Sequence, residues 1–258
     1  MTDPALTVSA SPFYLNWEFW TVVMAFLAIV LSQLPPVVLW FRPKRLEIEV
    51  HSRLVVTHKV GNPNLSLFLS LRNIGGRRLW IQEAQLDVWR DGIFLGSFPA
   101  QAYFASASSN DSILFTPFAL SPDEAWAHVT NFLRWFDRNT EKAYRAAESA
   151  LRADIQIKLR ERPENDKNMV VAGEQLVKPF LDMFQRLYVW EPGEYKLRLS
   201  VSVAEMALPF SRNFRFTLFE SDATRLKSYT DDYKFGGGLA YNSDQHVGIG
   251  VPLVRDDG

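Results

Sequence analysis

Residues 192–203, PGEYKLRLSVSV, set the fold class of this chain. Tyr195, Leu197, Leu199, Val201 and Val203 alternate with Lys196, Arg198, Ser200 and Ser202. Successive side chains of an extended backbone point to opposite faces, so this period of two predicts a strand with one buried face. Pro192-Gly193 supplies the turn that precedes it.

The same period recurs upstream. Leu46, Ile48, Val50, Leu54 and Val56 alternate with mainly polar residues, and Leu65, Leu67, Leu69 and Leu71 follow after the Gly61-Asn62-Pro63-Asn64 turn. Asn73-Ile74-Gly75-Gly76 is a second turn. A third strand runs from Leu79 to Trp89, and its apolar phase slips at Gln82-Glu83, the mark of a β-bulge. Asp91-Gly92 predicts a hairpin into a short strand at 93–98. Another short strand is expected at 112–118, and Phe214, Phe216 and Leu218 carry a further one. Five to seven short alternating strands separated by Gly/Pro turns predict an antiparallel β-sandwich. The turn, the tyrosine and the apolar alternation of 192–203 resemble the penultimate strand of immunoglobulin-like and fibronectin-type modules. That resemblance implies a sandwich fold and no particular activity, because unrelated functions share it.

Between the strands the pattern turns helical. Ser121-Pro122-Asp123-Glu124 has the form of a helix N-terminus, and Ala125, Val129, Phe132, Phe136, Ala143, Ala147 and Leu151 then recur at helical spacing. A second helix is expected at 174–187, broken at Pro179. The division is therefore a domain over 42–221 with a helical insert at about 121–190, then a short helix and a loose tail over 222–258. Gly236-Gly237-Gly238 belongs to that tail, as a flexible linker.

The N-terminal region is of another kind. Residues 1–17 read as a short extracytoplasmic N-terminus, of which 1–13, polar and Pro-containing, are expected to be disordered. In Phe19–Phe41, FWTVVMAFLAIVLSQLPPVVLWF, 18 of 23 residues are apolar and none is charged. As a helix it would span roughly 34 Å, against about 30 Å of bilayer hydrocarbon, so 18–41 reads as a single transmembrane helix. A signal peptide would need basic residues ahead of the apolar run; here none precedes Arg42. Pro35-Pro36 ends or kinks the helix near Leu34, and Val37–Phe41 completes the crossing. Tyr14, Trp17, Trp20 and Trp40 suit the two interfaces. Arg42, Lys44 and Arg45 flank the span on one side only, which puts the C-terminal domain in the cytoplasm and the N-terminus outside, at the inner (plasma) membrane. Each basic residue gains about 1 kcal/mol near anionic lipid. Thr21, Ala25, Ala28 and Ser32 form a small-residue seam, an expected packing face for another membrane protein or a second copy.

Composition excludes several functions. The formal net charge is −1, from 28 basic and 29 acidic residues, so no global basic field exists to hold nucleic acid. Without cysteine there are no disulfides, thiolate nucleophiles or Cys-ligated metals. Phosphate-loop, dinucleotide, zincin and nucleophile-elbow motifs are absent, so no catalytic residue, cofactor or metal is implied. The histidines, His51, His58, His128 and His246, show no metal-binding spacing, and each is expected on the surface or satisfied in the core. The basic insert offers a possible partner surface: Arg134, Trp135, Arg138, Lys142 and Arg145. Asp137, Glu141 and Glu148 stand at pairing distance, so the stripe also reads as a solvated, largely neutralised face.

These features predict a membrane-anchored, non-enzymatic accessory, scaffold or sensor protein whose cytoplasmic domain binds a partner or ligand. Its partners would be membrane lipid and a membrane protein, with no nucleic acid. One alternative is a hydrolase with a site at the sandwich–insert junction, holding His128 or clustered acids. Another is an extracytoplasmic envelope or adhesion module, which needs the reverse topology.

Overall fold

A computed structural model describes residues 16–33, 43–105, 111–163, 165–166, 168–239 and 248–256. Its strands are β1 (Leu46–Lys59), β2 (Asn62–Asn73), β3 (Leu79–Arg90), β4 (Ile93–Phe104), β5 (Ser112–Leu114), β6 (Phe118–Leu120), β7 (Ala125–Leu133), β8 (Gly193–Val203), β9 (Phe210–Leu218), β10 (Ile249–Pro252) and β11 (Val254–Arg255). They form one 11-stranded sheet in the order β10-β1-β2-β7-β4-β3-β8-β9-β11, with β5 beside β4 and β6 beside β3. Every pairing is antiparallel.

Two segments bend this sheet into a near-barrel. β4 pairs with β3 through Pro99 and with β7 from Ala100 onward. At the other edge, β10 lies on β1 while β11, one residue later, lies on β9. The alternating apolar positions all face the interior: Leu65, Leu67, Leu69, Leu71, Leu197, Leu199 and Val201 are buried in one core. Burying each such side chain contributes about 1.5–3 kcal/mol, so this period decides which face turns inward. The expected bulge in β3 is present, as the register on β8 jumps from Ile81↔Val203 to Glu83↔Ser202.

Three expectations are corrected. Residues 125–133 are strand β7, not helix. Ser121 N donates to the Glu124 carboxylate, one half of a capping box, but Glu124 N donates to the Ser121 backbone carbonyl, the i to i+3 bond of a β-turn. Asp123 is left-handed there (φ 62°), so the box closes a turn instead. Pairing with β2 on one side and β4 on the other outweighs the helical spacing. The insert's first helix is therefore α2 (Arg138–Glu161), capped by Asp137, and α3 (Glu174–Leu187) runs unbroken through Pro179. Finally, the C-terminal region is not all loose, because 249–255 closes the sheet with Ile249, Val251 and Leu253 buried.

The near-barrel has two distinct ends. The chain enters at Lys44 and Arg45, beside the 74–78 and 204–209 turns: Ile74 N donates to Arg45 O, and Lys44 bridges Glu205 at 2.8 Å. The opposite end is covered by α2, α3, α4 (Glu220–Ser228) and a 3-10 turn (Tyr229–Phe235). A second apolar cluster seals α2, α3 and the 3-10 turn there, with Val60 of the β1–β2 turn among Tyr144, Leu151, Phe180, Met183 and Tyr233, while Ala223 and Leu226 of α4 join the main core. Gly61 lets α3 approach: a Cβ at this residue (φ +83°) would lie 2.7 Å from Phe184 O.

Helix α1 (Trp17–Gln33) is 17 residues long. At about 26 Å it is shorter than the hydrocarbon layer. No helix among the described residues is long and apolar enough to cross a membrane. Pro35-Pro36, Val37–Phe41, Trp40 and Arg42 of the expected span and flank lie outside the described residues, as do Tyr14, His246 and Gly258.

Candidate interaction surface

At the helical end, β7 runs into an irregular linker, 134–137, before α2 begins. That linker carries the exposed Trp135, whose indole N–H donates to Gln101 Oε1 at 2.6 Å. Arg134 precedes it and donates from Nη2 to Ser97 O at 3.2 Å, while its own carbonyl accepts from Asn62 Nδ2 at 2.8 Å. Grooves open on both sides of the indole. One, about 430 Å³, has Leu95, Phe98 and Leu187 as apolar walls and Arg134, Asp137 and Arg186 as charged ones. The other, about 540 Å³, has Lys59, Asn64, Glu141 and Arg145. Asn64 Oδ1 in the second groove is buried and has no hydrogen-bond partner among the described residues.

The acids of these grooves are engaged. Asp137 accepts from Asn139 N, Thr140 N and the Thr140 hydroxyl, and these hydrogen bonds, led by that of the hydroxyl, hold its carboxyl below the usual range. Glu141 bridges Arg145 at 2.6 Å. Further along α2, Glu148 pairs with Arg152 and Asp154 with Lys158. The predicted basic stripe is thus split. Arg134 and Trp135 sit on the linker, Arg145 is neutralised on the helix, and only Arg138 and Lys142 extend the stripe as exposed cations.

The residues expected to face a membrane lie apart from this surface. Thr21 and Ser32 of the seam donate to carbonyls of their own helix, Trp17 O and Ile29 O. Of the flanking cations, Lys44 is paired with Glu205 and Arg45 is exposed.

His58 and His128 are held by the fold. His58 is 2% exposed, with Gly61 N donating to Nδ1 at 3.1 Å, so Nε2 carries the proton and donates to Leu226 O at 2.9 Å. Burial pushes its pKa below the ordinary value. His128 lies on β7 between Tyr103 and Trp126, with Nδ1 near Phe104 O, and lines neither groove. Among the described residues no group of three or more His, Asp or Glu could hold a metal ion.

Two features escaped the sequence reading. One is the groove pair around Trp135, formed because β7 ends in a linker and not in a continuous helix. The other is the closing segment, whose signal was present in the alternation of Ile249, Val251 and Leu253 with Gly250 and Pro252. Compared with known proteins, the chain matches no family model and no curated protein.

Proposed function

We propose that this protein is a membrane-anchored, non-enzymatic accessory protein that holds its β domain at the cytoplasmic face of the inner membrane and offers the Trp135 surface to a protein partner. The observation that carries this reading is α1. Its side chains are apolar all round and bare: Val22, Met24, Phe26 and Ile29 are 69, 61, 68 and 62% exposed. A helix apolar on every face needs lipid or other helices around it. The uncharged sequence runs on to Phe41, past the described end of the helix. The cations Arg42, Lys44 and Arg45 then favour a cytoplasmic domain.

Within this reading the β domain is an immunoglobulin-like sandwich. The hydrogen bond from the Tyr195 hydroxyl to Glu191 O, at 2.6 Å just before β8, supports it. The hydrolase reading draws no support from the junction grooves, where Asp137 serves as a helix cap and Glu141 as an ion-pair partner.

The test is fractionation. The full chain should stay with membranes through alkaline carbonate extraction, and residues 43–258 should not. A reporter fused after Gly258 should be active only as a cytoplasmic fusion. Full chain recovered from the soluble fraction would sink the anchor, and an active periplasmic fusion would select the extracytoplasmic alternative. Mild-detergent purification should also yield a stoichiometric second protein; a homogeneous lone monomer would sink the accessory role.

A further inference from the structure

The groove between β4 and the 134–137 linker has an unusual wall, the backbone of a strand. From Ile93 to Pro99, β4 pairs with β3 along one edge only, and pairing with β7 on the other edge begins at Ala100. Among the described residues no strand lies against that second edge of 93–99. The side chains show which groups point there. Ser97 stands opposite Asp87, and its hydroxyl donates to Asp87 Oδ1 at 2.6 Å, the close approach of a pair that exchanges no backbone bonds. The N–H and C=O of Ser97 therefore face the groove, where the carbonyl accepts from the Arg134 guanidinium. Pro99, which has no N–H, marks where the open edge stops.

An open edge is a template for another strand. Leu95, Phe98 and Leu187 give this one an apolar floor. Its charge is unbalanced. Asp137 is spent on the α2 amides and Thr140, whereas Arg134 and Arg186 form no ion pair among the described residues. Arg134 donates to a neutral carbonyl and Arg186 to the Thr140 hydroxyl at 3.4 Å; Arg186 also acts through space on Asp137, so this one acid faces two guanidinium groups and the groove keeps an excess of positive charge.

We propose that this groove receives an extended segment of a partner protein, which adds to β4 as a strand and sets a carboxylate against Arg134 and Arg186. A backbone N–H of the incoming strand replaces Arg134 at Ser97 O, and the freed guanidinium turns to the carboxylate. Trp135 covers one flank of the added strand. This inference rests on the reading of the Trp135 surface as the partner surface and names the chemistry of what docks there.

The probe is a labelled decapeptide of alternating Thr and Val ending in Asp-Asp, titrated against the full chain in detergent. Saturable binding is expected, with slowed amide exchange at 95–97. The same peptide ending in Lys-Lys, or carrying a central proline, should bind at least about tenfold more weakly, and so should the Arg186→Glu protein with the acidic peptide. Equal binding of the acidic and basic peptides, protection elsewhere in the sheet, or no saturation up to about 1 mM would overturn the proposal. Self-association protecting 95–97 without peptide would assign the edge to a second copy instead. A co-purifying protein retained by Arg186→Glu would remove the groove while leaving the accessory role standing.

Discussion

The imidazole of His58 sits where β1, the β1–β2 turn, α3 and α4 meet, against the rings of Phe184, Tyr188 and Tyr229. Its two nitrogens are both used in the neutral form, one accepting from Gly61 N and one donating to Leu226 O. A proton added to Nδ1 would oppose the Gly61 N–H and leave a charge among aromatic rings. Burial accordingly holds the folded pKa below the ordinary 6.5, while a backbone hydrogen bond to Leu226 acts weakly the other way. The unfolded chain thus binds more protons as pH falls below 6.5, and the stability contributed by the neutral ring, complete above that value, is lost. Urea midpoints measured from pH 7.5 down to 5.5 should decline for the native protein. They should start lower but fall less steeply for His58→Gln; equal slopes would show that other groups control the decline. The sequence allowed a satisfied core role for this residue, but its two partners come from segments whose approach no spacing encodes.

At the scale of elements, α3 is seated by a missing side chain. Gly61 is left-handed and in backbone contact with Phe184, so Gly61→Ala meets both an unfavourable φ and a 2.7 Å clash with a carbonyl oxygen. The expected loss is about 1–3 kcal/mol, read from a denaturant midpoint, whereas Gly92→Ala, with open space at its Cβ, should lose less. A loss no larger than that of Gly92→Ala would mean that α3 is free to shift. The strands were legible because each buries one face: Leu65–Leu71 and Tyr195–Val203 reveal themselves by period alone. β7 was not, since its residues 125–133 fit a helical spacing as well, and what decides between the two is the pair of neighbours, β2 and β4, that flank it. Asp137, the cap of α2, reads in the sequence as a pairing partner for the basic stripe, because Ser121 offers an equally good local cap signature 16 residues earlier. For the candidate surface, residue types were readable in Arg134 and Trp135, but the grooves depend on where a strand stops and were not.

The whole molecule is closed by its C-terminal segment. β10 satisfies the outer edge of β1 and β11 that of β9, and Val251 between them is 2% exposed. Val251→Asp puts an unpaired carboxylate into the core and loosens both edges at once. It should lower the thermal midpoint and produce concentration-dependent light scattering, while Val254→Asp, at a half-exposed position, should do neither. A Val251→Asp protein as stable and monodisperse as the native one would show that closure matters little to the sheet.

That closure also has a schedule. Leu54 of β1 pairs with Val251, which is translated 197 residues later. At typical synthesis rates this is roughly 10–40 s, during which β1 and its neighbours exist with no partner for the outer edge. Contacts between such distant positions form late because the chain entropy of closing the loop comes first. In a crowded cell an unpaired β1 is a site for pairing with the wrong chain. If α1 is by then held in a bilayer, each nascent chain spends the interval separated from others by the membrane area between them. Anchoring would then act as a means of keeping unfinished sheets apart.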